Sequence, residues 1–129
     1  MTSALPEDVR RFILSRIDSV EQLEVLLLMH RAPGAVWTPE AIARELYSTP
    51  SSVRGRLDSL VRQELVAAEG TPASFHYRPQ APSLVPTIDR LAECYRQRRV
   101  AVITLIASKP LENVRAFSDA FRLRRKDQD

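Results

Sequence analysis

Apolar side chains recur at helical spacing through the first thirty residues of the chain. Pro6 and two acidic residues after it favour a helix start, because proline and negative charge both suit a first helical turn. The apolar stripe of this helix comprises Val9, Phe12, Ile13 and Ile17. The segment VEQLEVLLLMHR follows a capping-box pattern that begins at Ser19. It is apolar on nearly every face, which predicts a central buried helix.

Two shorter helices and a hairpin are predicted next. Thr38-Pro39 and Thr49-Pro50 each combine a capping hydroxyl with a proline at the first helical position. The apolar residues of these two helices are Ile42, Leu46, Val53, Leu57, Leu60 and Val61. Residues 65–68 and 75–78 have the composition of short strands, and the glycine-containing segment between them predicts a hairpin turn.

The prolines at positions 79, 82 and 86 predict a stiff linker. A long helix is expected from about Thr87 to Ser108, although the apolar run VAVITLIA within it is also compatible with a buried strand. Pro110 ends this element, and Leu111, Val114, Phe117 and Phe121 then return at helical spacing. The pattern divides the chain into residues 1–80 and a linker with a helical dimerisation or docking extension, residues 81–129.

A short extended piece, Val36-Trp37, precedes the first of the two shorter helices. The resulting order of helix, short strand, helix, turn, helix and hairpin is that of a winged helix-turn-helix domain. The stretch WTPEAIARELYSTPSSVRGRLDSLVRQELVAAE resembles bacterial regulators of the MarR type, and the likeness is best over about residues 19–80. The resemblance implies a supporting helix (Pro39–Leu46), a recognition helix (Pro50–Gln63), a wing and a dimer-forming C-terminal helix. The expected fold is mainly α, with a small β-hairpin wing and long C-terminal helices.

Two features depart from the MarR pattern. Glu64 stands before the first strand, where such domains often have glycine, so the recognition helix has to end without the usual left-handed glycine. The wing tip, EGTPAS, has no basic residue to contact phosphate.

The polar face of the predicted recognition helix suits DNA. Arginine can bond guanine O6 and N7 in a bidentate manner, and short hydroxyl side chains can bond phosphates or bases. A glycine on this face permits close approach to the DNA backbone. The candidate DNA-binding residues are Thr49, Ser51, Ser52, Arg54, Gly55, Arg56, Ser59 and Arg62. The alternative is an ordinary solvated helix face.

The charge distribution counts against DNA binding. The net charge of the chain is +3. Residues 1–80 nevertheless carry nine arginines against ten acids, whereas residues 81–129 carry ten basic groups against six acids. The excess of positive charge therefore lies outside the expected DNA-reading module, and Asp58 within the recognition helix repels phosphate.

The C-terminal apolar residues predict self-association, because the run VAVITLIA is apolar on more faces than one small domain can cover. The candidate dimerisation residues are Leu91, Tyr95, Val102, Ile103, Ile106, Phe117 and Phe121. The final segment, residues 111–126, could dock on the partner subunit or on another protein.

Other chemistry is sparsely represented in the sequence. We find no phosphate-binding glycine loop, no HExxH and no nucleophile elbow, so an enzyme is not expected. Cys94 is the single cysteine, which favours a reducing cytoplasm and a packing role over a redox switch. We predict no cofactor, metal or membrane-spanning segment. Trp37 and Tyr47 are expected to pack at the core or its rim.

The leading hypothesis is a sequence-specific transcriptional regulator that binds double-stranded DNA as a homodimer. The rival hypothesis is a winged-helix adaptor or anti-activator that binds proteins and not DNA. The nearly neutral first part of the chain and the wing tip without a basic residue favour the rival.

Overall fold

The computed structural model describes residues 5–109, which form six helices and a hairpin. The helices are α1 (Glu7–Arg16), α2 (Val20–His30), α3 (Pro39–Leu46), α4 (Pro50–Arg62), α5 (Leu84–Gln97) and α6 (residues 99–109). The strands β1 (Val66–Glu69) and β2 (Ser74–Tyr77) pair antiparallel, with Val66 opposite Tyr77. The mainly helical fold with a small hairpin is confirmed, and each strand lies one residue from its predicted position. Within residues 5–109, no helix has the length and hydrophobicity needed to cross a bilayer.

Hydroxyl side chains start three of the helices, as their sequences predict. The side-chain oxygens of Ser19, Thr38 and Thr49 accept hydrogen bonds from the backbone N–H three residues later, at 3.1–3.2 Å. The second half of the capping box differs from expectation. Gln22 Oε1 accepts from the backbone N–H of Asp18, not from that of Ser19. These caps fix where α2, α3 and α4 begin.

Helices α3 and α4 are each followed by a non-glycine residue with positive φ. Tyr47 follows α3 with φ 55°, and Glu64 follows the last turn of α4 with φ 63°. Beside Glu64, the Leu65 N–H bonds the Leu60 carbonyl and the Glu64 N–H bonds the Val61 carbonyl, which is the Schellman arrangement. The glycine missing from the sequence is therefore replaced by a glutamate in the left-handed conformation.

The hydrophobic core surrounds α2, as its uniformly apolar sequence predicts. Leu23, Val25, Leu26 and Met29 of this helix are fully buried. The residues that α3, α4, the hairpin and α5 contribute to the same cluster include Ile42, Val53, Leu57, Leu60, Leu65, Phe75, Ile88 and Leu91. Trp37 forms a further β-bridge to Phe75, with N–H to carbonyl distances of 2.7 and 2.8 Å. The hairpin is thereby attached to the segment that precedes α3.

The predicted long helix from Thr87 to Ser108 is wrong in its bounds and in its continuity. It begins earlier, at Leu84, and Pro86 lies in its first turn, where the missing N–H of proline has no cost. It is also interrupted at Arg98, which has φ −134° and ψ 51°. Arg98 stands at the position where the buried series Ile88, Leu91, Tyr95 and Val102 would place a core residue. We attribute the break to this charge, which remains exposed while α6 turns its apolar face to the core.

The N-terminal helix packs against α5, and an ion pair joins them. Asp8 accepts hydrogen bonds from Arg90 Nε at 2.8 Å and from Thr87 Oγ1 at 3.1 Å. The hydrogen bond from Arg90 lowers the pKa of the Asp8 carboxyl, and the bond from Thr87 adds to this against the opposing effect of burial. The division of the chain at residues 80 and 81 stays a prediction, and buried residues from both sides belong to one cluster.

We predict that Asp8→Asn lowers the stability of the protein at neutral pH and that the loss disappears in acid. The pKa of the Asp8 carboxyl is lower in the folded protein than in the unfolded chain, where it is about 3.9. Its contribution to stability is therefore complete above the unfolded pKa and is lost as the pH falls through the folded pKa. Urea denaturation of both proteins at pH 7 and well below pH 3.8 measures this. Glu7→Gln, which removes an exposed pair with Arg11, is the control. An equal difference between wild type and Asp8→Asn at both pH values would contradict the prediction.

Candidate nucleic-acid interface

The outer side of α4 is open to solvent. Of the eight candidate DNA-binding residues, those that are exposed are Thr49, Ser51, Arg54, Gly55 and Arg62. They lie opposite the stripe of Val53, Leu57 and Leu60, which is fully buried. Thr49 precedes the helix and caps it, since its side chain accepts from the backbone N–H of Ser52. We refer to these five exposed residues as the outer face of α4.

The other three candidate residues lie on the side of α4 that packs against α2. Ser52, Arg56 and Ser59 are half-buried and occupy one edge of the helix. Ser52 Oγ and Arg56 Nε both donate to the Glu21 carboxylate, the arginine at 2.9 Å. Ser59 Oγ accepts from Gln22 Nε2 at 3.1 Å. The sequence of α4 alone cannot show which of its polar residues are covered, because the residues that cover this edge belong to α2.

The Glu21 carboxylate has a further donor in the turn between α3 and α4, where the Ser48 hydroxyl bonds to it. Burial by itself raises the pKa of this carboxyl, but the hydrogen bonds from Ser48, Ser52 and Arg56 outweigh burial and leave the pKa lower than normal. Glu21 is therefore charged in the folded protein at neutral pH. Sequence reasoning missed this residue, because its partners lie 27 to 35 positions away along the chain.

Acidic groups flank the arginine at the centre of the outer face. Arg54 Nη2 lies 3.5 Å from a carboxylate oxygen of Glu40 on α3. Together with Asp58, these two residues line a cleft of about 340 Å³ between α3, α4 and the hairpin. The side chains around Arg54 thus present mixed charge and not a purely positive surface.

Comparison with known proteins gives a fold. No family model matches the sequence, and no curated protein matches it. Among solved structures, the MarR family regulator Sco5413 from Streptomyces coelicolor has a TM-score of 0.54 at 19% identity, covering 95% of this chain and 82% of its own. The S. aureus MepR F27L mutant bound to an oligodeoxyribonucleotide has a TM-score of 0.53 at 14% identity, covering 92% and 87%. The adhesin competence repressor AdcR from Streptococcus pyogenes has a TM-score of 0.51 at 18% identity, covering 87% and 85%.

The chain has a MarR-like winged-helix fold. In this fold α3 and α4 are the helix-turn-helix, α4 occupies the place of the recognition helix, and β1 and β2 form the wing. The fold expected from the sequence resemblance is confirmed.

The wing carries few charges that would attract DNA. Its tip, residues 70–73, is uncharged, and Glu69 precedes it on β1. His76 Nδ1 lies 3.9 Å from that carboxylate, and the first exposed arginine after the tip along the chain is Arg78, just after β2. The wing's own arginine is therefore at its base and not at its tip.

Four of the residues predicted to form the dimer are buried within the single chain, and their role in a dimer stays a prediction. These residues are Leu91, Tyr95, Val102 and Ile106. Leu91 and Tyr95 pack from α5, which contacts α1, and Val102 and Ile106 pack from α6 after the break at Arg98. Ile103 is half-buried. Phe117 and Phe121, like the whole segment 111–126, lie outside the described residues.

Four further residues from the sequence are placed by the structure. Trp37 is half-buried against the core, as expected, but the prediction for Tyr47 is wrong, since this side chain is 98% exposed. His30 Nε2 lies 2.8 Å from Asp89 Oδ1 and links α2 to α5.

Burial raises the pKa of the half-buried Cys94 thiol, which disfavours a reactive thiolate. Among the described residues, no group of His, Cys, Asp and Glu side chains could hold a metal ion.

We predict that Gly55→Ala stabilises the protein and, on the hypothesis that α4 binds DNA, weakens that binding. A Cβ at this position would meet no atom within 4 Å, so the helix accepts it without strain. Alanine is favoured over glycine in a helix interior by about 1 kcal/mol. The same methyl group would stand between the helix and an approaching DNA backbone. Chemical denaturation and DNA titration of the variant check both effects, and a lower denaturation midpoint would contradict the first.

Proposed function

We propose that this protein is a transcriptional regulator that binds double-stranded DNA sequence-specifically, with α4 in the major groove. The observation that carries the proposal is the outer face of α4, where Ser51, Arg54, Gly55 and Arg62 are open to solvent on a helix fixed to the core. The likeness in fold to a regulator solved with a bound oligodeoxyribonucleotide supports it.

Each residue of the outer face has a role that its chemistry suits. The guanidinium of Arg54 suits a guanine O6 and N7, and contact with a base requires it to leave its 3.5 Å contact with Glu40. Thr49 and Ser51, at the positive N-terminus of the helix, suit a phosphate. Gly55 leaves room for the DNA backbone, and Arg62 at the other end of the helix suits a second phosphate.

We propose that the protein acts as a homodimer. Val100 on α6 is 76% exposed, which is unusual for a large apolar side chain. It lines an open cleft of about 1100 Å³ between the start of α1 and α6, together with apolar residues such as Leu5 and Ala101 and with charged residues such as Arg10 and Arg99. A second copy on this surface would cover the apolar groups and relate the two recognition helices by a two-fold axis. In such dimers the two helices lie about 34 Å apart, one turn of DNA.

Selection of DNA sequences from a random pool by the purified full-length protein tests the function. We expect a pseudo-palindromic site whose half-sites are separated by about one helical turn. Light scattering at micromolar concentration should show a dimer. Enrichment of no sequence in the selection would overturn the assignment to DNA, and a monomer would overturn the two-fold arrangement.

A second candidate function is that of a protein-binding adaptor with no DNA partner. The mixed charge around Arg54, which shares one cleft with Glu40 and Asp58, favours it, as does the uncharged wing tip. The terminal segment 111–126 would then be a docking element for another protein. The adaptor predicts no sequence enrichment and no salt-dependent DNA binding, whereas the regulator predicts both.

A further inference from the structure

A row of polar contacts joins α2 to the recognition helix beside their apolar interface. Glu21 accepts hydrogen bonds from Ser48, Ser52 and Arg56, and Gln22 donates to Ser59. At the other end of α4, Arg16 of α1 donates from Nη1 to the backbone carbonyl of Gln63 at 3.0 Å. We call the set of Glu21, Gln22, Ser48, Ser52, Arg56 and Ser59 the polar seam.

The spacing of the polar seam covers the length of the recognition helix. Ser52, Arg56 and Ser59 stand at i, i+4 and i+7, which places them on one edge of α4. The apolar stripe next to them attaches the helix to the core but is not directional. Hydrogen bonds depend strongly on distance and angle. The apolar stripe sets which face of α4 is turned to the core, and the polar seam adds directional contacts that can fix the remaining rotation of α4 about its own axis.

Glu21 is the central group of this arrangement. Its side chain is only 23% exposed and takes donors from both the turn and the helix. Arg56 is directed to it and away from the outer face. An arginine held in this way serves the position of the helix, and reaching a base would require it to break the contact.

We propose that Glu21 is a positioning residue that sets the rotation of α4, with Arg56 as its partner, and thereby selects which outer-face side chains reach the bases. This inference rests on the proposed function. It assigns Arg54 to base reading and withdraws Arg56 from the DNA-contacting set. Substitution of Glu21 then changes sequence preference, and not only the amount of folded protein.

The first test is the Glu21→Gln variant in the intact chain. Glutamine keeps the size of the side chain and can still accept from the serines, but it loses the charge that holds Arg56. We expect the ratio of affinities for the selected site and a scrambled site to fall about tenfold, within the range that one base contact contributes. A lower melting temperature with an unchanged ratio would mean a merely structural role and would overturn the proposal.

Glu24→Gln is the matched control. Glu24 lies on the same helix and is similarly covered, but its carboxylate contacts Tyr95 at 2.8 Å and Arg99 at 3.2 Å, both outside α4. It should leave the affinity ratio unchanged. An equal drop for both variants would also overturn a specific role for Glu21.

The role of Arg56 is decided by salt dependence. If Arg56 positions the helix, Arg56→Gln lowers the affinity ratio like Glu21→Gln, and the double variant is no worse than either. The slope of affinity against salt concentration then stays that of the wild type. If Arg56 instead contacts phosphate, the slope falls by about one and the two substitutions act independently, which would contradict the proposal.

A measurement on the free protein separates this inference from the proposed function. Backbone amides of α4 should exchange with solvent faster in Glu21→Gln than in wild type, whereas those of α5 should not change. If the wild type binds no DNA and α4 of Glu21→Gln exchanges faster, the proposed function is refuted and the positioning contact stands. Unchanged exchange in α4 would refute the positioning role, whether or not DNA is bound.

Discussion

Replacing both Arg54 and Arg62 by alanine is expected to lower affinity for the selected DNA site about 100-fold without unfolding the protein. Each lost base or phosphate contact costs about 1–3 kcal/mol, and 1.4 kcal/mol is a tenfold change in affinity. Both side chains are exposed and lie off the buried stripe of α4. The core therefore stays intact, and the melting temperature should remain that of the wild type. Fluorescence anisotropy with a labelled duplex measures the affinity.

A charge-matched variant controls for the loss of two positive charges. Arg11 and Arg31 are also exposed but lie on α1 and just after α2, away from the outer face of α4. Their double alanine variant should bind the site nearly as well as the wild type. If both double variants bind alike, α4 is not the reading element and the adaptor hypothesis is favoured.

The second large effect is on stability: we expect Leu57→Ala to lower the free energy of unfolding by about 2–5 kcal/mol. Removing a fully buried leucine loses its transfer free energy and leaves a cavity that neighbours fill only in part. Leu57 is fully buried at the centre of the face that α4 presents to the core. Urea denaturation at a fixed protein concentration measures the change, since the stability of an oligomer depends on concentration.

Val61→Ala is the comparison for Leu57→Ala on the same helix. Val61 is only half-buried and packs at the edge of the core. Its truncation should cost clearly less than that of Leu57. Equal losses at the two positions would show that α4 does not sit on the core in the orientation described.

Local signals in the sequence correctly predicted the starts of α2, α3 and α4 and the buried face of α4. Ser19, Thr38 and Thr49 each cap the helix that follows. The hydroxyl and the N–H that it accepts from are only three residues apart, so the sequence alone indicates this contact. The apolar stripe of α4 is buried as its spacing predicts. Both kinds of signal depend on neighbours along the chain and need no knowledge of the rest of the fold.

Contacts between distant residues could not be predicted in the same way. The polar face of α4 is wider than the surface that remains open, and only the packing of α2 decides that Arg56 is covered while Arg54 is exposed. The apolar stripe of Leu91, Tyr95 and Val102 posed a similar problem, since a core residue and a dimer residue have the same spacing. The break at Arg98 redirects the chain, so that Val102 on α6 joins the same core as Leu91 and Tyr95 on α5.

The attachment of Trp37 to the wing provides an internal optical probe. The chain has one tryptophan, and its backbone pairs with Phe75 on β2. The indole Nε1 is buried, with no hydrogen-bond partner among the described residues. Any shift of the wing relative to α3 alters the surroundings of this ring. Intrinsic fluorescence of the unmodified protein therefore reports on the joint between the wing and the helix-turn-helix, with no competing signal from another indole.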